Sequence, residues 1–186
     1  MLNKEDTEPI VNWAINNLQF IKERKDKRGR NIGSPNGHSG NIFGIQNIDS
    51  KDTQEELKSQ NFPIENLVKI DSKLKDLYNI PENVKTAKMG WILMYGEDGY
   101  ICRPHTDRNK EDMIHTRLNV MISKPEEGGQ AIISNQIIER EENEPWICVA
   151  GVYEHSTVEV KGKKPRIMLS LGYMVNKETL IENSYI

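Results

Sequence analysis

The chain of 186 residues holds only two cysteines, Cys102 and Cys148. That number excludes a disulfide framework and a four-sulfur zinc site. No apolar run approaches the ~20 residues that cross a bilayer, and Met1-Leu2-Asn3-Lys4-Glu5-Asp6 lacks the apolar stretch of a secretory leader. Together these shortages predict a cytoplasmic protein with no membrane partner. Net charge is small: 25 basic and 28 acidic residues leave a formal charge of -3, which gives no global pull toward nucleic acid or acidic lipid. Internal repeats are absent. What remains is a globular balance, 36% hydrophobic and 28% charged, too apolar for wholesale disorder and sufficient for one domain with a core that needs no staples.

The hydrophobic period divides the chain. Thr7-Glu8-Pro9 reads as a helix start with proline in the first turn, after which Ile10, Val11, Ala14, Ile15, Leu18 and Ile21 recur at helical spacing. A second helix follows Pro63, with Ile64, Leu67, Val68, Leu74, Leu77 and Tyr78 on one side. Between them, Asn31 to Gly40 is rich in turn formers and predicts a long loop of the kind that serves as a lid, or a disordered stretch. From about residue 85 the period becomes two. Met89, Trp91, Leu93 and Tyr95 open a strand, and further strands are expected at 100–105, 115–123, 129–134, 145–150, 155–160 and 165–174. Short strands at this spacing predict a sandwich, jelly roll or barrel. The expected organisation is a single domain over 1–186: helical and loop support in 1–84, a β core in 85–176 and a tail in 177–186. The fold class is mainly β with N-terminal helices (α+β).

His105 and Asp107 carry the chemistry. They stand two apart in Arg103-Pro104-His105-Thr106-Asp107, and on an extended strand residues i and i+2 point the same way. An imidazole nitrogen and a carboxylate oxygen are two of the three ligands of a 2-His-1-carboxylate facial triad. Taken alone, His-x-Asp is common, and a polar surface turn carries it equally well. His155 lies in a later strand pattern as a third ligand, and Arg166 follows eleven residues on. With Gly162-Lys163 as the tip of a two-residue hairpin, His155 would face Ser170 and Glu159 would face Arg166. His155 and Arg166 would then share a face, suited to a dicarboxylate keto acid chelated at one end and paired with a guanidinium at the other. Glu159 is the competing partner for that guanidinium.

The pattern His105-x-Asp107, His155 and Arg166 resembles the iron(II)- and 2-oxoglutarate-dependent dioxygenase superfamily. From Tyr95 to Tyr173 it is most similar to the prolyl 4-hydroxylase-like branch. Tyr95-Gly96 precedes the Pro-His-x-Asp segment, and Arg117-Leu118-Asn119-Val120-Met121-Ile122 leads to Gly128-Gly129 as that branch's next strand leads to its glycine hairpin. Arg117-Leu118-Asn119 also resembles the aspartyl/asparaginyl β-hydroxylase branch. Many prolyl hydroxylases have lysine where Arg166 stands, and nucleic-acid demethylases of the superfamily have a second arginine where this chain has Gly172. The latter departure argues against a nucleic-acid substrate.

The resemblance implies a double-stranded β-helix (a cupin-like jelly roll). It also implies His105, Asp107 and His155 as ligands of Fe(II), 2-oxoglutarate as co-substrate, and O2. Arg166 is the expected keto-acid residue, with Tyr95, Asn119 and Ser170 as further contacts. The implied reaction is hydroxylation of a protein side chain, a free amino acid or a small metabolite, with release of succinate and CO2. A non-catalytic binding module and a cupin-type metal enzyme without 2-oxoglutarate are the competing classes. The remaining features read as structural: His115 and His38 as solvent-facing, and Cys102, Cys148, Trp91 and Trp146 as core. Trp13 reads as helix packing, Lys22 to Arg30 as a solvated helix end, and the glutamate-rich 126–144 as an exposed hairpin near the site mouth.

Overall fold

The computed structural model describes residues 2–23, 41–45, 48 and 50–186. The helix α1 (Lys4–Asn16) begins earlier than Thr7-Glu8-Pro9 suggests, because Asn3 closes a capping box with Asp6. The Asn3 side chain accepts from the Asp6 amide at 3.0 Å, and Asp6 accepts from the Asn3 amide at 3.1 Å. Pro9 therefore lies inside the helix and leaves the Glu5 carbonyl without its intrahelical donor. Asn66 of a later helix supplies one at 3.3 Å, so the proline is tolerated by tertiary contact. Short α2 (Leu18–Glu23) follows. The turn-rich segment 31–40, with His38, and most of the basic run 22–30 lie outside the described residues.

Strand β1 (Asn41–Ile45) and helix α3 (Lys51–Ser59) come next, then α4 (Ile64–Leu77), β2 (Lys85–Gly96) and β3 (Met113–Ser123). They are followed by β4 (Ala131–Ile133), β5 (Gln136–Ile138), β6 (Pro145–Cys148), β7 (His155–Thr157), β8 (Arg166–Asn176) and α5 (Lys177–Glu182). The strands form two antiparallel sheets, β1-β2-β8-β3-β6 and β5-β4-β7. The segment expected as a strand at 100–105 runs along β7 instead: His105 and His155 exchange backbone bonds at 3.1 and 2.9 Å, and Val160 donates to Tyr100 at 2.9 Å.

Period-two alternation assigns the faces of the large sheet. On β8 the odd residues Ile167, Leu169, Leu171 and Tyr173 join Leu93, Leu118 and Val120 against Ile10, Ala14, Leu67 and Leu74 of the helices. The even residues Arg166, Met168 and Ser170 look the other way, between the sheets. There a smaller cluster of Met121, Trp146 and Met168 packs with Met94, Ala131 and Ile133. Burying one face under helices and the other under the small sheet gives β3 and β8 nearly continuous burial. The result is α+β, a jelly-roll double-stranded β-helix with helices on one side. On the helices, Ile10, Ala14, Ile21, Leu67 and Leu74 are buried as the spacing predicts, whereas Ile15, Val68 and Leu77 are exposed.

The topology corrects the supposed β7–β8 hairpin. β7 pairs with β4 and β8 pairs with β2 and β3, so the chain at 158–165 crosses between sheets rather than turning within one. Ser170 faces Ile92 and Asn119, and Arg166 faces Gly96. Glu159 is exposed and makes no ion pair with Arg166 among the described residues.

Candidate metal centre and anion pocket

A cavity of about 260 Å³ opens between the two sheets. His105, Asp107 and His155 stand at one end, each offering one ligand atom within 4.8 Å of the others. Backbone bonds place them. The Asp107 amide donates to the Ala150 carbonyl at 2.8 Å, and the His105–His155 bridge sets the two imidazoles face to tilted face, centroids 4.3 Å apart. His105 Nδ1 lies 2.8 Å from the Arg103 carbonyl and His155 Nδ1 lies 3.2 Å from the Tyr153 carbonyl. A carbonyl only accepts, so each Nδ1 carries the proton and each Nε2 keeps its lone pair for a metal. His105 Nε2 is 3.9 Å from Asp107 Oδ1.

Electrostatics favours the states in which Asp107 and His155 could bind a metal. Burial pushes the Asp107 carboxyl up, but Arg117 and His115 beside it prevail and hold it below its ordinary range. Burial, with His105 close by, pushes His155 down, which favours the neutral imidazole. His115 is expected at the surface but is buried, its Nδ1 3.4 Å from Asp107 Oδ2. Burial and Arg117 push its titration down to about 4. Hard carboxylate plus two imidazoles is the donor set that suits Fe(II) with positions left open.

Arg166 occupies the other end with no solvent exposure. Its Nε donates to the Gly129 carbonyl at 2.6 Å and one terminal nitrogen reaches Met168 Sδ at 2.9 Å. The other terminal nitrogen, Nη1, has no hydrogen-bond partner among the described residues. The guanidinium sits 5.8 Å from the Tyr100 ring, and burial draws its pKa down. Gly129 makes this possible: it holds φ +76°, and a Cβ there would meet Arg166 Cδ at 3.0 Å and Pro125 at 2.8 Å.

The floor between the two ends is the inward face of the large sheet, where cross-strand rows carry Ile92, Ser170, Asn119 and Trp146, then Met94, Met168 and Met121. Asn119 and Ser170 therefore line the cavity. Tyr95 does not: its parity on β2 turns it into the core under the helices, and Tyr100 takes the place near Arg166. Cys102, Cys148 and Trp146 line the cavity as well as pack. Arg117 lines the cavity too, and the one signal of this in the sequence is that it shares the parity of Asn119 on β3. It is 7% exposed and donates from Nε to Asp107 Oδ2 at 2.7 Å and from Nη1 to Ser170 Oγ at 3.3 Å.

No protein-family model matches the sequence, and no curated protein matches it. Solved structures do match. The non-heme alpha ketoglutarate dependent epimerase SnoN from nogalamycin biosynthesis superposes with a TM-score of 0.59 at 15% identity, over 94% of this chain and 74% of that one. A prolyl hydroxylase from Trichoplax adhaerens, in complex with a hypoxia inducible factor peptide fragment, gives 0.55 at 14% identity over 97% and 83%. The viral collagen prolyl hydroxylase of Paramecium Bursaria Chlorella virus-1 gives 0.55 at 12% identity over 94% and 92%. The chain therefore has the fold of the 2-oxoglutarate-dependent oxygenases.

Proposed function

We propose that this chain is an iron(II)- and 2-oxoglutarate-dependent oxygenase that hydroxylates a protein side chain, a free amino acid or a small metabolite. The observation that carries the reading is Nη1 of a fully buried arginine, without a hydrogen-bond partner among the described residues, in the same cavity as a His-Asp-His group. A buried guanidinium with an open donor is costly without an anion, and the far carboxylate of a keto acid chelated by the metal would supply one. His105, Asp107 and His155 would hold the iron. Bound iron with 2-oxoglutarate supplies the oxygen chemistry, in which 2-oxoglutarate, O2 and a substrate C–H become succinate, CO2 and a substrate C–OH. The protein's own part is placement. Arg166 orients the co-substrate, Ser170 and Asn119 offer polar contacts along it, and Met94, Met168 and Trp146 keep that stretch apolar.

A non-catalytic module has no use for a His-Asp-His set facing a buried guanidinium with an open donor, and a metal enzyme without a keto acid leaves Nη1 unanswered. The test is anaerobic addition of Fe(II) and 2-oxoglutarate to the purified protein. A weak visible charge-transfer band that requires both additions is expected, followed on admitting air by succinate formation. Iron binding without the band would point to the cupin-type enzyme, and no iron binding would point to the module.

A further inference from the structure

Asp107 has two oxygens, and the protein uses one of them for itself. Oδ2 accepts from Arg117 Nε at 2.7 Å and lies 3.4 Å from His115 Nδ1, while Oδ1 faces His105 Nε2 at 3.9 Å. Arg117 is itself fixed. Its strand partner across β3 and β8 is Gly172, and a Cβ at that position would come within 3.2 Å of Arg117 Nη1, 3.1 Å of His115 Nε2 and 2.9 Å of the Gly90 carbonyl. The missing side chain of Gly172 is the space in which the guanidinium lies. Nη1 then reaches Ser170 Oγ, two residues along the same strand. One planar fork thus ties the carboxylate to β8.

We propose that Arg117 is a positioning residue, holding Asp107 so that it meets the metal through Oδ1 alone and leaves the remaining positions for co-substrate and oxygen. This rests on the reading of His105, Asp107 and His155 as metal ligands. A carboxylate free to turn could chelate with both oxygens or swing from the site. The bond at Oδ2 opposes both. A ligating carboxylate is oriented by the donors that hydrogen-bond it; here the donor is a guanidinium, which lowers the negative charge offered to the ion and in exchange fixes the direction of the carboxylate.

The test is a double-mutant cycle read by Ni(II) binding in titration calorimetry, with no co-substrate and no turnover. Ni(II) is chosen because imidazole holds it tightly enough for a two-histidine site to be measured. In the natural background, Arg117→Met, which keeps the stem and removes the fork, should weaken Ni(II) binding about 10- to 100-fold. In the Asp107→Ala background the same change should not weaken it, because the clamped group is gone and a repelling cation has been removed. Equal weakening in both backgrounds would make Arg117 merely structural, and undiminished affinity in the natural background would also overturn the proposal. If Arg117→Met does not fold by near-UV circular dichroism, Arg117→Lys carries the same cycle, since a point charge cannot span Asp107 and Ser170. A His105→Ala control separates the two levels. Unchanged Ni(II) affinity there would remove the metal site itself, whereas a loss there without coupling between Arg117 and Asp107 would remove only the positioning role.

Discussion

At the scale of single residues, the proposed function gives Asp107 and Arg166 different tasks, and their variants should divide in the same way. Asp107→Ala removes the one anionic member of the proposed ligand set and should abolish iron binding and turnover together, measured as iron retained after gel filtration and succinate formed. Arg166→Ala leaves the ligand set intact. It should keep metal binding nearly unchanged while weakening 2-oxoglutarate by about 2–4 kcal/mol, the scale of truncating one side of a desolvated charge pair. A titration of the charge-transfer band against 2-oxoglutarate reads this directly. Unchanged keto-acid affinity with a lowered melting temperature would make Arg166 structural. That His105, Asp107, His155 and Arg166 meet in one cavity was legible in the sequence because their spacing is itself chemical information. Tyr95 was not, because a tyrosine-glycine step before Pro-His-x-Asp says nothing about which face of β2 the ring takes. Alternation from Trp91 and Leu93 would have placed it in the core.

At the scale of elements, the helices were legible where an apolar stripe is broad and illegible where it is thin. α4 follows Pro63 as expected, but α3 buries only Leu57, and a single buried position gives no apolar period to read. The β7–β8 register failed for a different reason. A Gly-Lys tip fits a tight turn and equally a crossing between sheets, and only partners distant in sequence decide between them.

The junction of α1 and α4 offers a sharper test. Asp6 is fully buried and receives Lys69 at 2.8 Å and Lys73 at 2.6 Å as well as the Asn3 amide. Burial pushes its carboxyl up, but these partners overcome it and hold it well below the carboxylate range. A depressed folded pKa means stability that is present above the unfolded value near ~4 and lost as pH falls through it toward the folded value. Asp6→Ala should therefore cost about 2–3 kcal/mol at pH 7, combining a lost cap with lost charge-assisted bonds. The variant should lose less stability than the natural protein between pH 5 and pH 2 (~3 units, the range in which such carboxylates titrate). Urea unfolding at several pH values decides it; parallel pH profiles would show that the Asp6 pairs contribute nothing.

At the scale of the whole molecule, the site is a joint between two sheets. Arg166 on β8 donates to the carbonyl of Gly129, just ahead of β4, while His155 on β7 and Asp107, beside the large sheet's Arg117, stand at the end where a metal is proposed to bind. A metal with a keto acid would therefore tie the sheets at both ends of the cavity, and binding only to the folded chain raises stability by mass action. With both at about 100 times their dissociation constants, each should add about 2.7 kcal/mol. At roughly 2–4 °C per kcal/mol for a chain of this size, that is roughly a 5–10 °C rise in melting temperature for each. Ni(II) in place of iron avoids turnover during the scan. The keto-acid increment should appear only after the metal, since chelation needs the ion, whereas the metal increment should appear alone. Gly129→Ala supplies the control. Its Cβ would press on the Arg166 stem, so the guanidinium is retained but displaced, and the metal increment should survive while the keto-acid increment falls. If the keto acid stabilises the protein equally without metal, or Gly129→Ala leaves its increment untouched, the two ends of the cavity do not act on one ligand.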